Sequence, residues 1–210
     1  MSQFNIAELG DNFKKASESQ GIEIIPYIDG FEQLYIFFTI LGKMFGFVGS
    51  DIKSKVDILR KHCTEDTNKE RYVCVNDMLA YEKEIGVAEV NTRKFSSGSR
   101  TLLRLHRALL FIHKMFIEIV STSESDISSH IVEAYDDSLA KFHPFYIRGS
   151  ARFAMRHGVP LREDLLHKVF GKDADESVVA EDIKTAAVYI KTVYDQVEKL
   201  YTHYDFHELP

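Results

Sequence analysis

From Ser99 to Lys114 the chain sets cations among large aliphatic side chains without a single carboxylate. Arg100, Arg104 and Arg107 recur at i, i+4 and i+7, so on a helix three guanidinium groups share one face. Leu102, Leu103, Leu105, Leu109, Leu110 and Ile112 fill the positions between them. A solvated helix would alternate its cations with carboxylates. This segment instead needs a core on one side and an anion on the other, and planar guanidinium forks suit phosphate or carboxylate. The implied ligand has an anionic head and an apolar body lying in the core behind the helix.

Helical periodicity also dominates the rest of the chain, with no strand-like alternation beyond a few residues, no repeat and no low-complexity tract. Ile6, Leu9, Phe13 and Ala16 mark a first amphipathic helix ending at Gly21. Pro26 sits near the start of a second, apolar on almost every side, with a stripe through Phe31, Leu34, Tyr35, Phe38, Leu41 and Phe45. Gly46 and Gly49 break the chain, and Ser50-Asp51 opens a third helix reaching about Cys63. Asp51 then falls in the first turn, where the helix dipole favours a carboxylate. Lys55 reads locally as its solvated partner, in a pair worth only ~0.3–0.5 kcal/mol.

A polar turn over Thr64–Lys69 leads to a helix from Arg71 to Ile85. Gly86–Gly98 is irregular, and Ser96-Ser97-Gly98-Ser99 caps the arginine-bearing helix, which runs to about Val120. Ile127, Ile131, Ala134, Tyr135 and Leu139 mark the next helix. Pro144 holds His143 extended and opens a helix to about His157, with Arg148, Arg152 and Arg156 on one face. A short helix over Arg162–Phe170 and a long one over Ser177–Tyr204 follow, with the tail to Pro210 expected to fold back. The expected architecture is all-α, and 210 residues suit a single domain spanning 1–210.

Charge and cysteine content narrow the function. A formal net charge of −6 argues against nucleic acid as a partner, because binding to phosphates requires a basic field. Cys63 and Cys74 fit neither a zinc pattern nor a disulfide framework, as expected of two half-buried thiols in a reducing compartment. The N-terminus lacks the basic and apolar regions of a signal peptide. Phe31–Val48 is too interrupted by polar residues to span a bilayer. A soluble, cytoplasmic protein is the expectation. No nucleophile elbow, His-Glu-x-x-His, phosphate-cradling glycine loop or paired-carboxylate motif occurs, and His106 and His113 lie on the arginine-rich helix rather than beside carboxylates. Neither an enzyme nor a metal or cofactor is expected; recognition of an anion is.

Taken together, Ser99-Arg-Thr-Leu-Leu-Arg-Leu-His-Arg-Ala-Leu109, the Asp51–Lys55 pair and Phe142-His143-Pro144 resemble the glycolipid transfer protein superfamily, whose fold is a two-layer helical sandwich. The likeness runs from Ile6 to Pro210 and is strongest to the ceramide-1-phosphate transfer branch. In the sugar-binding branch a tryptophan stands at the position of Arg104, an asparagine at Lys55 and a lysine at Ile58. This chain has no tryptophan at all. A surface for sugar hydroxyls has become a cationic cradle for a phosphate.

The resemblance implies that Lys55, Arg100 and Arg104 hold a lipid phosphate of about −1.5 to −2 charge. It makes Asp51 the acceptor for a ceramide amide N–H and hydroxyl, and His143 the donor to the amide carbonyl, replacing the local cap-and-partner reading. Arg107, shared with the sugar binders, becomes secondary. The expected acyl pocket comprises Phe38, Leu41, Phe45, Leu109, Ile112 and Phe116. Phe145, Tyr146, Arg148 and Arg152 form the expected membrane contact. Each methylene withdrawn from water is worth ~0.8 kcal/mol, so a ceramide moves only inside an apolar pocket. The expected partners are a sphingolipid and, transiently, a membrane surface, with the chain a monomer. The competing readings are a sphingolipid sensor that does not transfer, a helical interaction module whose arginines meet protein carboxylates, and transfer of another phospholipid such as phosphatidic acid.

Overall fold

The computed structural model describes residues 3–19, 21–65 and 67–210. Within them the chain forms nine α-helices and no strand; its only β-type pairings are two isolated bridges. Helix α1 (Ile6–Glu18) starts at Asn5, whose side chain accepts the Glu8 N–H, and its buried face is Ile6, Leu9, Phe13 and Ala16. Helix α2 (Ile24–Leu41) lies against it so closely that a Cβ at Gly30 would come within 2.8 Å of the Phe13 ring. The buried amide of Gln33 accepts the main-chain N–H of Asn5 and ties the two helices at one end.

Helix α2 is long and apolar enough to cross a membrane, with mean hydropathy 1.3 and only Asp29 and Glu32 charged. The apolar window thus begins earlier than the Phe31–Val48 stretch considered from sequence. More than half of the helix is buried against its neighbours, and Tyr27, Ile28, Phe31 and Leu34 are inaccessible to water. It is the central core helix.

Helix α3 (Gly46–Thr64) begins earlier than the glycines suggested. A tight turn over Lys43–Phe45 feeds straight into it, and Gly46 and Gly49 are simply part of its first turns. Asp51 therefore lies in the second turn rather than at a cap. The expected helix over Arg71–Ile85 is divided. A 3-10 turn covers Lys69–Tyr72, and α4 covers Val75–Glu84. The division is forced by the main chain at Val73–Val75, which bonds to Ile22 and Ile24 and is extended at Cys74.

Helix α5 (Gly98–Ser121) carries the arginines. Helices α6 (Ser128–Asp136), α7 (Phe145–Gly158), α8 (Arg162–Phe170) and α9 (Glu176–Tyr204) complete the fold. Helix α9 packs along both α1 and α5, α2 packs along α1 and α3, and α6 bridges α5 to α7. The tail folds back, burying Leu209 and presenting the His207 carbonyl to Arg107.

Candidate functional site

The arginine helix is bolted down before its first turn. Ser97 is its N-cap and accepts the Arg100 N–H at 3.1 Å. The same hydroxyl donates to Glu82 of α4 at 2.6 Å. Glu82, inaccessible to water, also accepts the N–H groups of Gly98 and Ser99 at 2.7 and 2.9 Å and the Tyr72 hydroxyl at 3.1 Å. Four donors make a buried carboxylate tolerable, and two of them are otherwise orphaned N–H groups at a helix start. A Cβ at Gly98 would sit 2.5 Å from the Met78 sulfur, so glycine is what lets α4 come this close. From the other side, Tyr201 of α9 donates to the Ser99 carbonyl at 2.6 Å.

These anchors fix the rotation of α5, and with it the direction of the arginine face. Arg104, Leu105, Ala108, Phe111 and Ile112 form one wall of a cavity of about 370 Å³. Phe38 and Phe45, Ile52 of α3, and Ile147, Ala151 and Met155 of α7 close the apolar part. Its polar groups are Asp51, Arg104, Tyr135 and His143. Lys55 joins them through an ion pair with Asp51, its own side chain mostly buried.

The charges are unbalanced in favour of cations. Arg104 makes no ion pair or hydrogen bond among the described residues, and Arg100 has a buried Nε without a partner there. Burial lowers the Arg100 pKa, and the neighbouring Arg104 lowers it further. Arg107 is lowered by burial first, with Arg104 adding and Glu208 opposing. Its guanidinium lies 4.4 Å from the centre of the Phe142 ring and donates to the His207 carbonyl, so Arg107 joins the tail to the segment carrying His143. His143 is held below the usual histidine value by burial, with Asp51 opposing that shift and Lys55 reinforcing it. The site is a cationic rim on an apolar chamber.

The structure thus gathers Asp51, Arg104 and His143 on one cavity, with Lys55 and Arg100 beside them. Of the expected acyl-pocket residues, Phe38, Phe45 and Ile112 line the cavity, whereas Leu41, Leu109 and Phe116 are buried in the core away from its wall. The helical period explains the difference. Ala108, Phe111 and Ile112 continue the Arg100–Arg104 face at i+4, i+7 and i+8 from Arg104, and Leu109 and Phe116 lie off it. That continuation was the available signal for Ala108 and Phe111; Leu105, one residue after Arg104, lies off it on the side of Leu109 and carried no such cue. Tyr135, Ile147, Ala151 and Met155 had no comparable local cue.

One further expectation is corrected. His106 is beside a carboxylate after all: its Nε2 is 2.6 Å from Glu198 of α9, in a stack between Tyr194 and Tyr201. Arg152, expected in the membrane contact, is held by Asp136, which accepts from its Nε at 2.9 and 3.1 Å. Phe145 and Tyr146 are exposed, and Arg148 is half-buried. No group of three metal-ligating side chains occurs among the described residues.

Comparison with known proteins agrees with this geometry. The family model described as glycolipid transfer protein matches residues 22–171. A ceramide-1-phosphate transfer protein of Xenopus tropicalis is 34% identical over 99% of this chain and 97% of its own length. The one from Homo sapiens is 30% identical over 99% and 97%. Among solved structures, mouse ceramide-1-phosphate transfer protein in its apo form superposes with a TM-score of 0.89 at 28% identity, covering 99% of this chain and all of the other. The human protein in complex with 2:0 ceramide-1-phosphate superposes with a TM-score of 0.88 at 27% identity, each chain covered completely. The all-α sandwich expected from the resemblance is the fold observed. By the family match and by the full-length relatives, this chain belongs to the glycolipid transfer protein family.

Proposed function

We propose that this protein carries ceramide-1-phosphate between membranes without vesicles. The observation that supports this reading best is Arg104, an arginine without a counter-ion among the described residues on the wall of a mostly apolar cavity, facing the same space as Asp51 and His143. A bound phosphomonoester supplies the missing anion to Lys55, Arg100 and Arg104. Asp51 then accepts from the ceramide amide and hydroxyl, His143 donates to the amide carbonyl, and Arg107 acts at one remove through Phe142 and the tail. The chains exchange a bilayer for a protein interior, two apolar surroundings of similar quality. The exchange is close to neutral and reversible, and the head-group contacts select the lipid.

The chain works as a carrier rather than an enzyme. Burial pushes the Cys63 thiol up to about 11 and also raises Cys74, which leaves neither as a thiolate nucleophile near neutral pH. Unpaired thiols suit the cytosol, from which the protein touches membranes transiently, as a monomer, through Phe145, Tyr146 and the arginines of α7.

The test is transfer of fluorescent ceramide-1-phosphate between vesicles, with galactosylceramide in parallel. The expected result is transfer of the phosphate lipid alone, abolished by Arg104→Leu. Transfer of neither lipid, with no binding by native mass spectrometry, would overturn the carrier reading.

A further inference from the structure

His143 Nδ1 lies 2.8 Å from the hydroxyl of Tyr135, with the two rings tilted at 37° and 5.8 Å apart. Both side chains line the cavity. Geometry alone permits either group to donate, and the surroundings of the phenol decide between them. Tyr135 is 1% exposed, and its hydroxyl bonds to nothing else among the described residues. If the imidazole donated from Nδ1, the phenol proton would be buried without an acceptor, at a cost of about 1–3 kcal/mol. If the phenol donates, its proton and the Nδ1 lone pair are both satisfied. A neutral imidazole carries one ring proton, so an accepting Nδ1 places it on Nε2.

The remaining conditions hold on the same residues. Burial raises the Tyr135 phenol above its ordinary value, with Asp136 adding and Arg152 and Arg148 opposing, so the phenol keeps its proton. Burial also favours the neutral imidazole. Pro144 follows His143, whose backbone is extended at φ −106° and ψ 138°, and this directs the ring rather than leaving it to a flexible loop. His143 Nε2 has no protein partner among the described residues.

We propose that Tyr135 is a positioning residue that locks His143 as the Nε2–H tautomer, so that an N–H donor already faces the cavity before an amide-bearing lipid arrives. The assignment of that donor to an amide carbonyl rests on the sphingolipid reading above; the tautomer itself does not. With the phenol oxygen removed, Nδ1 loses its donor, and the Nε2–H form loses the contact that selects it. A lipid with a carbonyl at this depth then has to draw the proton to Nε2 at its own expense, whereas a phosphate lipid with no carbonyl is indifferent.

Long-range proton–nitrogen NMR of the lipid-free protein near pH 7 reads the tautomer directly, in wild type and in Tyr135→Phe. The wild type should show His143 protonated at Nε2 only, and the variant a mixture or the Nδ1–H form. Equilibrium binding then compares ceramide-1-phosphate with sphingosine-1-phosphate, which keeps the phosphate and has no carbonyl. The variant should lose roughly fivefold to tenfold affinity for the first, the scale of one compromised hydrogen bond, and change by less than about twofold for the second. An Nδ1–H tautomer in the wild type, an unchanged tautomer in the variant, or equal losses for both lipids would overturn the proposal. If Tyr135→Phe does not fold, the wild-type tautomer alone decides. A wild type with the Nε2–H form but no affinity for ceramide-1-phosphate would sink the carrier reading and leave the tautomer assignment intact.

Discussion

Lys55 reaches back one turn along α3 to the carboxylate of Asp51, with the lysine side chain 12% exposed and the aspartate 66% exposed. Each neutralises the other, so a phosphate that recruits Lys55 competes with Asp51 for it. Two lipids should therefore respond oppositely to Asp51→Asn. Phosphatidic acid, which needs only the cations, should bind about twofold to fivefold more tightly once Lys55 is released, the scale of an exposed ion pair. Ceramide-1-phosphate should bind about tenfold more weakly, because its amide loses a charged acceptor. Displacement of a fluorescent lipid measures both, and a shift of both in one direction would refute the division of roles.

Arg104 has a cost in the absence of ligand. It lowers the pKa of both Arg100 and Arg107, which is repulsion without a counter-ion. Arg104→Leu should raise stability by about 0.5 kcal/mol at low salt, the screened surface scale, while phosphate-lipid transfer is lost. Urea unfolding repeated in ~1 M salt should erase the gain, because screening acts over only ~3 Å there. A destabilised variant would reveal an attractive partner for Arg104.

Glu82 is where the arginine helix is held. Glu82→Ala would leave the Ser97 hydroxyl, two N–H groups and the Tyr72 hydroxyl without their buried acceptor. Unmet buried donors cost about 1–3 kcal/mol each and do not add fully, so a loss of about 3 kcal/mol or more is expected. Urea midpoints measure it, and a loss below about 1 kcal/mol would mean that the Ser97 cap holds α5 unaided.

The division between what was and was not legible in the sequence follows the range of the interactions. The Ser97 cap, the arginine spacing and the extended His143 are local and stand as read. Asp51 was placed in a first turn because glycines suggested a break, whereas packing of Gly49 against the Tyr35 ring carries the helix through them. The His106–Glu198 contact joins residues 92 apart, and no window along the chain contains both. The same holds for Glu82, whose burial beneath α5 depends on α4 docking there. Periodicity identified α5 as amphipathic, but which of Leu105, Leu109 and Phe116 meets the cavity depends on a rotation set by Glu82 and Tyr201.

Acid should destabilise the protein through its buried histidines. His106, His113 and His143 are all lowered from 6.5, in each case chiefly by burial. As pH falls through 6.5 the unfolded chain takes up protons that the folded one refuses, so stability drops over that window. His130 works in the opposite sense. Glu124, and then Glu118, raise its pKa, so its contribution is present below 6.5 and fades as pH rises through the raised value. Three groups against one predict lower urea midpoints at pH 5.5 than at pH 7.5, with His106→Gln flattening the slope. A midpoint that rises on acidification would show that His130 outweighs the buried three.

The outer face of α7 combines Phe145, 78% exposed, with Tyr146, 62% exposed, and Phe153 two turns beyond Phe145. Three aromatic rings in water favour an interface where their apolar bodies are covered and the phenol stays wet. Phe145→Ala should weaken adsorption to vesicles about fivefold, the equivalent of ~1 kcal/mol for part of a ring. One cation of this helix is restrained, because Asp136 occupies Arg152. Asp136→Asn should free that guanidinium and strengthen adsorption about fivefold, at ~1 kcal/mol per basic residue near an anionic surface. The gain should appear on anionic vesicles only and vanish in high salt, whereas the Phe145→Ala loss should persist on neutral vesicles and in salt. Sedimentation with both vesicle types separates the two terms, and adsorption indifferent to both substitutions would place the docking face away from α7.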